Sequence, residues 1–233
     1  MKDIVLFDLD STLLQMDQDL FLKKYFALIY IKAKEFGFDP DEFMKVFSKV
    51  AYSIVENDGS QTNEELFWNG MKQYYPNIEN SIELFENLYK NEFKGIAEIV
   101  NKTDIPNQIV KCLKAKGYKL ILATNPLFPT VCTFERMSWA GLSPDDFDYV
   151  TTYDKCTYCK PKKEYYEEIF NTLGLRMENA IMVGNDLIDD FYYLPKEIDR
   201  VLITDHLINT KNLPITMPSF TLAEFLEHIR VNY

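Results

Sequence analysis

Val5-Leu6-Phe7-Asp8-Leu9-Asp10-Ser11-Thr12 joins an apolar run to a cluster of polar side chains near the start of the chain. Its apolar start has the texture of a buried strand, and it runs directly into two carboxylates and two hydroxyls. A packed interior tolerates no charge, so Asp8 and Asp10 are expected where the strand emerges into a crevice. In extended backbone, residues i and i+2 point the same way, which lets both carboxylates face one small volume. Two like charges that close are costly unless a proton or a cation lies between them. A hard divalent cation with oxygen ligands is the natural neutraliser.

No strand signal appears between about residue 14 and residue 92. Residues 17–36 are helical in pattern. Asp39-Pro40-Asp41-Glu42 supplies an N-cap, a proline at the first helical position and a capping-box-like acid. Phe43, Val46, Phe47, Val50 and Ile54 follow on one helical face. Thr62-Asn63-Glu64-Glu65 opens another helix by the same logic. The block reads as an all-α insertion of three or four helices.

Beyond it, strands and helices alternate. The pattern predicts helices over 106–116, 129–140 and 163–173, each stopped by a glycine (Gly117, Gly141, Gly174). It predicts strands over 118–124, 147–152, 180–183 and 201–204, and a closing helix over 221–229 capped by Thr221. Unbroken apolar strands alternating with helices indicate an α/β, Rossmann-like parallel sheet with helices on both faces. The first strand must join that sheet. The expected organisation is therefore a core of residues 1–14 and 93–233 carrying an α-helical cap of residues 15–92.

The bulk composition narrows the function. A net charge of −11 opposes nucleic-acid binding, since no basic stripe is available to collect phosphates, and it discourages docking on anionic membranes. An anionic substrate would need positive charge supplied locally. The N-terminal apolar run is brief and broken at Asp8, unlike a signal peptide, and no apolar run reaches the roughly 18 residues of a membrane span. Cys112, Cys132, Cys156 and Cys159 are too few and too scattered for a disulfide framework. A cytoplasmic, reduced protein is expected.

In an open parallel sheet, ligands bind outside the carboxyl ends of the strands. The residues found there are Asp8-Leu9-Asp10-Ser11-Thr12, then Thr124-Asn125, then Lys160-Pro161 ahead of a helix, then Gly184-Asn185-Asp186 followed by Asp189-Asp190. This ordered set, with a helical insertion after the first motif, resembles the haloacid dehalogenase superfamily and specifically its phosphatase branch. Each motif alone is weak; the four in order, spread over the whole chain, are specific.

The resemblance implies a Mg2+-dependent phosphatase that hydrolyses a small phosphorylated metabolite through an aspartyl-phosphate. Asp8 matches the nucleophile, whose attack on phosphorus divides one difficult step into two. Asp10 matches the general acid toward the leaving oxygen and then the base toward water, with its backbone carbonyl on the metal. The dehalogenase branch lacks this second aspartate, so Asp10 argues for phosphoryl transfer. Thr124, with the amides around Asn125, would bind phosphoryl oxygens. Lys160 would hold Asp8 and the phosphoryl group together, and Pro161 fits the first residue of the following helix. Asp8, Asp10, Asp186 and Asp190 make up the implied magnesium site, with Asp186 direct and either Asp189 or Asp190 as the second acid. The family commonly has Gly-Asp where this chain has Gly184-Asn185-Asp186.

Other residues have plainer readings. Thr12 either ties down the loop or is a turn residue. Cys156-Thr157-Tyr158-Cys159 lacks the second pair a zinc ribbon needs and reads as loop cysteines. Trp68, Trp139 and the other aromatics read as core, with those of residues 17–30 also candidates for a substrate pocket. His206 and His228 have no partners that suggest catalysis. The alternatives are a phosphoryl-transferring mutase of the same superfamily and a non-catalytic binding or regulatory protein. A calcium-only site gives Thr124 and Lys160 no task.

Overall fold

The computed structural model describes residues 2–232. Six strands, β1 (Ile4–Phe7), β2 (Lys119–Leu122), β3 (Tyr149–Val150), β4 (Ala180–Gly184), β5 (Asp199–Ile203) and β6 (Ser219–Phe220), form one sheet in the order β3-β2-β1-β4-β5-β6. Every neighbouring pair is parallel. β1 sits inside the sheet and is buried throughout, which is why it can afford no polar residue before Asp8. Its alternation serves two faces. Val5 and Phe7 join the core formed with α5 (Ile105–Ala115) and α8 (Leu222–Asn232), where Phe7 meets Phe225 edge-on at 6.4 Å. Ile4 and Leu6 pack on the other face against Tyr165, Tyr166, Ile169 and Phe170 of α7 (Lys163–Leu173). The parallel sheet covered on both faces is the architecture the sequence predicts.

Register aligns the strand ends. Phe7 is level with Leu122 on one side and Val183 on the other. The Asp8 amide then donates to Val183 O (2.9 Å) and the Ala123 amide to Phe7 O (2.7 Å). Asp8, Thr124 and Asn185 thus leave the sheet along one edge.

Between β1 and α5 lie α1 (Gln18–Glu35), α2 (Pro40–Val55), α3 (Asn63–Tyr74) and α4 (Ile82–Lys90). Their starts are set by side chains that satisfy otherwise unpaired amides. Asp17 accepts from Leu20 N and Asp39 from Glu42 N, each at 2.9 Å, and Thr62 with Glu65 closes a reciprocal capping box. Their apolar faces meet in an aromatic interior that is continuous with one face of the sheet core. A 3-10 segment, Glu92–Ile99, packs on α1, α4 and α6 (Thr130–Trp139) and joins the helical block to the sheet-bearing part.

Three details depart from expectation. β6 was not anticipated: two residues after Pro218, one of them exposed, leave no readable period. β3 occupies only 149–150 of the expected 147–152. Pro161 does not begin α7; the helix starts at Lys163, and Pro161 precedes it in a cis peptide with Lys160. Among the described residues no helix is long and apolar enough to cross a membrane.

Candidate active site

The loop after β1 folds back on itself. Leu9 O accepts from the amides of Thr12 (3.2 Å) and Leu14 (2.8 Å), while the Ser11 hydroxyl donates to Met16 O (2.8 Å). Ser11 takes φ +64°, a left-handed conformation uncommon for a residue with a Cβ and held here by these bonds. The turn leaves Asp8 and Asp10 facing one cavity.

Lys160 lies at the centre of the charged cluster and is 2% exposed. Its ammonium donates to Asp8 Oδ1 and to Asp190 Oδ1, both at 2.7 Å. Burial opposes its charge, but Asp190 and Asp8 outweigh it and hold the lysine well above its ordinary pKa. Asp190 Oδ2 accepts the amides of Asn185 (2.9 Å) and Asp186 (3.0 Å). A Cβ built on Gly184 would fall 2.2 Å from that same oxygen, so the glycine at the end of β4 makes room for the carboxylate. The Thr12 hydroxyl lies 3.0 Å from both Asp8 Oδ2 and Asn185 Oδ1, and Asn185 Nδ2 donates to His206 O (2.7 Å). Thr12 therefore ties the loop after β1 to the loop after β4.

Thr124 is nearly fully buried at the cavity wall. Its carbonyl accepts from Thr151 Oγ1 (2.6 Å) and Tyr165 OH (2.9 Å), whereas its hydroxyl has no partner among the described residues. Asn125 Oδ1 accepts the Lys160 amide at 3.2 Å, which joins the second and third motifs.

The surroundings of Asp10 differ from those of Asp8. Its Oδ2 is paired with the guanidinium of Arg136, a completely buried residue on α6. Arg136 Nε donates to Cys132 O (3.3 Å), and its guanidinium lies over the rings of Phe128 (4.6 Å) and Phe21 (5.6 Å). Asp10 Oδ1 is buried without a hydrogen-bond partner among the described residues. Burial raises the Asp10 pKa, Arg136 opposes the rise and Asp8 adds to it.

The cavity measures about 1110 Å3 including its open mouth. Asp8, Asp10, Thr124, Asn125, Lys160 and Asp186 form its floor, and α1 to α4 contribute side chains to its walls. Over residues 2–190 the chain matches the haloacid dehalogenase-like hydrolases. It belongs to that family. Among its curated relatives are pyrophosphatase PpaX of Bacillus cereus (strain AH820) and glyceraldehyde 3-phosphate phosphatase of Methanocaldococcus jannaschii. The first is 26% identical over 188 residues, covering 78% of this chain and 74% of the relative. The second is 25% identical over 207 residues, covering 85% and 82%. The solved structure of a HAD phosphatase from Thermococcus onnurineus superposes with a TM-score of 0.56 at 21% identity, covering 98% of each chain. A putative phosphatase from Clostridium difficile gives 0.57 at 18% identity, again covering 98% of each. These likenesses show the fold.

The donor set of this haloacid dehalogenase-like hydrolase suits a hard cation. Asp8, Asp10, Asp186, Asp189 and Asp190 all line the cavity, and among the described residues only Lys160 and the buried Arg136 offset them. Asp186 Oδ1 accepts the amides of Ile188 (2.7 Å) and Asp189 (3.1 Å), and its other oxygen has no partner among the described residues. No three acidic, histidine or cysteine side chains among the described residues are grouped to bind a metal by themselves. One or two carboxylates, a carbonyl and several waters is the shell magnesium prefers. Asp190, expected as a metal acid, has both oxygens committed to Lys160 and two amides; its place is behind the lysine. Asp189 lines the cavity beside Asp186, and burial raises its pKa.

Arg136 escaped the sequence reading because an arginine on a helix normally faces water. The available signal was its position: it falls on the apolar stripe of α6 with Cys132, Thr133 and Met137. Cys156 and Cys159 are buried free thiols, and burial pushes Cys156 up to about 12. Their loop is a dock for α3: the Asn63 amide donates to Cys156 O (2.9 Å), and its side chain meets Cys159 Sγ (3.4 Å).

Proposed function

We propose that this hydrolase is a Mg2+-dependent phosphatase that cleaves a small phosphorylated molecule through an aspartyl-phosphate at Asp8, with residues 15–92 acting as a cap over the site. The observation that carries this reading is the buried Lys160 ammonium shared by Asp8 and Asp190 at 2.7 Å. It fixes the nucleophile and supplies the positive charge a phosphoryl group requires in an otherwise acidic cavity. The phosphatase names of the curated relatives support the same reading.

In the first step Asp8 attacks phosphorus as the bond to the leaving oxygen breaks, and Asp10, protonated, gives that oxygen its proton. The burial that raises Asp10 favours the protonated form needed here. In the second step the Asp10 carboxylate takes a proton from water. That water attacks phosphorus, releasing phosphate and restoring Asp8. Thr124, its hydroxyl unengaged, and Asn125 bind the phosphoryl oxygens. Asp8, Asp186 and the Asp10 carbonyl are the groups that would hold magnesium, which supplies charge neutralisation at the phosphoryl oxygens when bound. The four free cysteines fit a cytoplasmic setting.

The test is hydrolysis of nitrophenyl phosphate. Activity should require Mg2+ and fall by about 10⁴-fold or more in Asp8→Asn, with circular dichroism and thermal midpoint preserved. Substantial activity in that variant would exclude Asp8 as nucleophile.

A further inference from the structure

Beyond the charged floor, the cavity contains a wall of one chemical character. α1 supplies Leu22, Tyr25 and Phe26, and α2 supplies Phe47 and Ala51. Phe67 and Trp68 of α3, Tyr89 of α4, the Leu127-Phe128-Pro129 turn after β2 and Tyr153 after β3 complete it. Gln18 is the one amide side chain in this part. Among the described lining residues Lys160 is the only cation, and its ammonium is already held by Asp8 and Asp190 at the floor.

The phenols of the wall do not alter its character. Tyr25 OH and Tyr89 OH bond to each other at 3.1 Å, and burial holds these two phenols and that of Tyr153 far above their ordinary pKa, so none carries charge. Because one of the pair donates to the other, one phenolic proton is left for an uncharged acceptor. A second anionic group on the substrate would face this wall with no cation to receive it, and would lie near a floor already in acidic surplus. Desolvating an unpaired anion is strongly unfavourable, whereas an apolar group gains by leaving water.

We infer that the alcohol released by this enzyme carries no anionic group and is predominantly apolar or aromatic, and that the helical wall selects it. The inference rests on the phosphatase reading and sharpens it to a substrate class: a phosphate monoester of an apolar alcohol, in place of a bisphosphate, a pyrophosphate or a phosphorylated carboxylic acid. It also separates this chain from the substrates printed in the names of its curated relatives, pyrophosphate and glyceraldehyde 3-phosphate.

The experiment measures kcat/KM with Mg2+ for alkyl phosphates, whose leaving groups are of similar reactivity, so that the difference reports the wall. 2-Phenylethyl phosphate is compared with 2-phosphoglycolate, glyceraldehyde 3-phosphate and choline phosphate. Since one methylene in an apolar pocket is worth about tenfold or more, the phenylethyl ester should lead phosphoglycolate by about 100-fold. Phe26→Arg places a cation at the rim, where Phe26 is already partly exposed, and should narrow that ratio by about tenfold or more. Equal or better turnover of any of the three other alkyl phosphates overturns the inference, as does an unchanged ratio in a folded Phe26→Arg protein. Nitrophenyl phosphate distinguishes the two levels. If it is hydrolysed while the phenylethyl ester is not preferred, only this inference fails; if it is not hydrolysed, the phosphatase reading fails and the inference with it.

Discussion

At the floor of the cavity, Asp8, Lys160 and Asp190 are held by hydrogen bonds of 2.7 Å, and the loop after β4 is fastened to Asp190 by two more of 2.9 and 3.0 Å. Along the helical wall, the side chains hold one another by ring contacts. Tyr25 lies 5.1 Å from Phe128, Phe47 lies 5.5 Å from Phe67, and Phe67 lies 5.2 Å from Trp68, centroid to centroid. Hydrogen bonds between buried charges are directional, and losing one partner strands the other. Ring contacts have only a shallow preference for edge-on or offset geometry, and apolar packing tolerates exchange of similar volumes. The floor is thus suited to one chemistry, while the wall can be retuned to another substrate without disturbing it. Substitutions on the floor should lower kcat, and substitutions on the wall should alter KM.

The largest departure should come from Lys160→Met. It leaves Asp8 and Asp190 buried without their cation, so stability should fall by about 3–5 kcal/mol in denaturant titrations. The folded fraction should retain less than about a thousandth of the activity. Full activity here would show that the floor does not depend on its central ion pair.

Arg136→Met should be milder and more selective. Asp10 loses its guanidinium while Asp8, Lys160 and Thr124 keep their contacts, so kcat should drop about 100-fold with KM little changed. Without the guanidinium the Asp10 pKa rises further, so the step that needs its carboxylate slows for alkyl and nitrophenyl phosphates alike, and activity should recover as pH rises. A loss that does not change with pH would indicate a purely structural role for Arg136.

Trp68→Leu should have the smallest effect. The side chain is half-buried in the wall and remote from the ion pairs, so KM for an apolar ester should rise about tenfold while kcat stays within about twofold. A collapse of kcat would mean that floor and wall are not separable.

Much of the floor was legible because strand ends concentrate chemistry and the intervening helices announce their own boundaries. Asp39 and Thr62 cap where their side chains predict, and Gly117, Gly141 and Gly174 adopt the positive φ that ends a helix cleanly. What was not legible depends on contacts between distant segments. Arg136 is buried only because Asp10, 126 positions earlier, and the rings of Phe21 and Phe128 receive it. Asn185 reads as an interruption of a Gly-Asp pair, yet in three dimensions it joins Thr12 to the backbone of His206. The wall was hidden for another reason. Phe47, Phe67 and Tyr89 follow the same helical periodicity whether they face a solid core or a cavity, and only the packing of four helices decides which.

The central claim is that Asp8 forms a covalent bond to phosphorus. It is tested most directly by quenching the working enzyme in acid, reducing with borohydride and sequencing peptides by mass spectrometry. An aspartyl-phosphate is reduced to homoserine, whereas a free carboxylate is not. Homoserine should be found at position 8 and not at position 10, only when substrate and Mg2+ were both present. Its absence from position 8 in an enzyme caught during turnover, or its appearance at another aspartate, would contradict the assignment of Asp8 as the nucleophile.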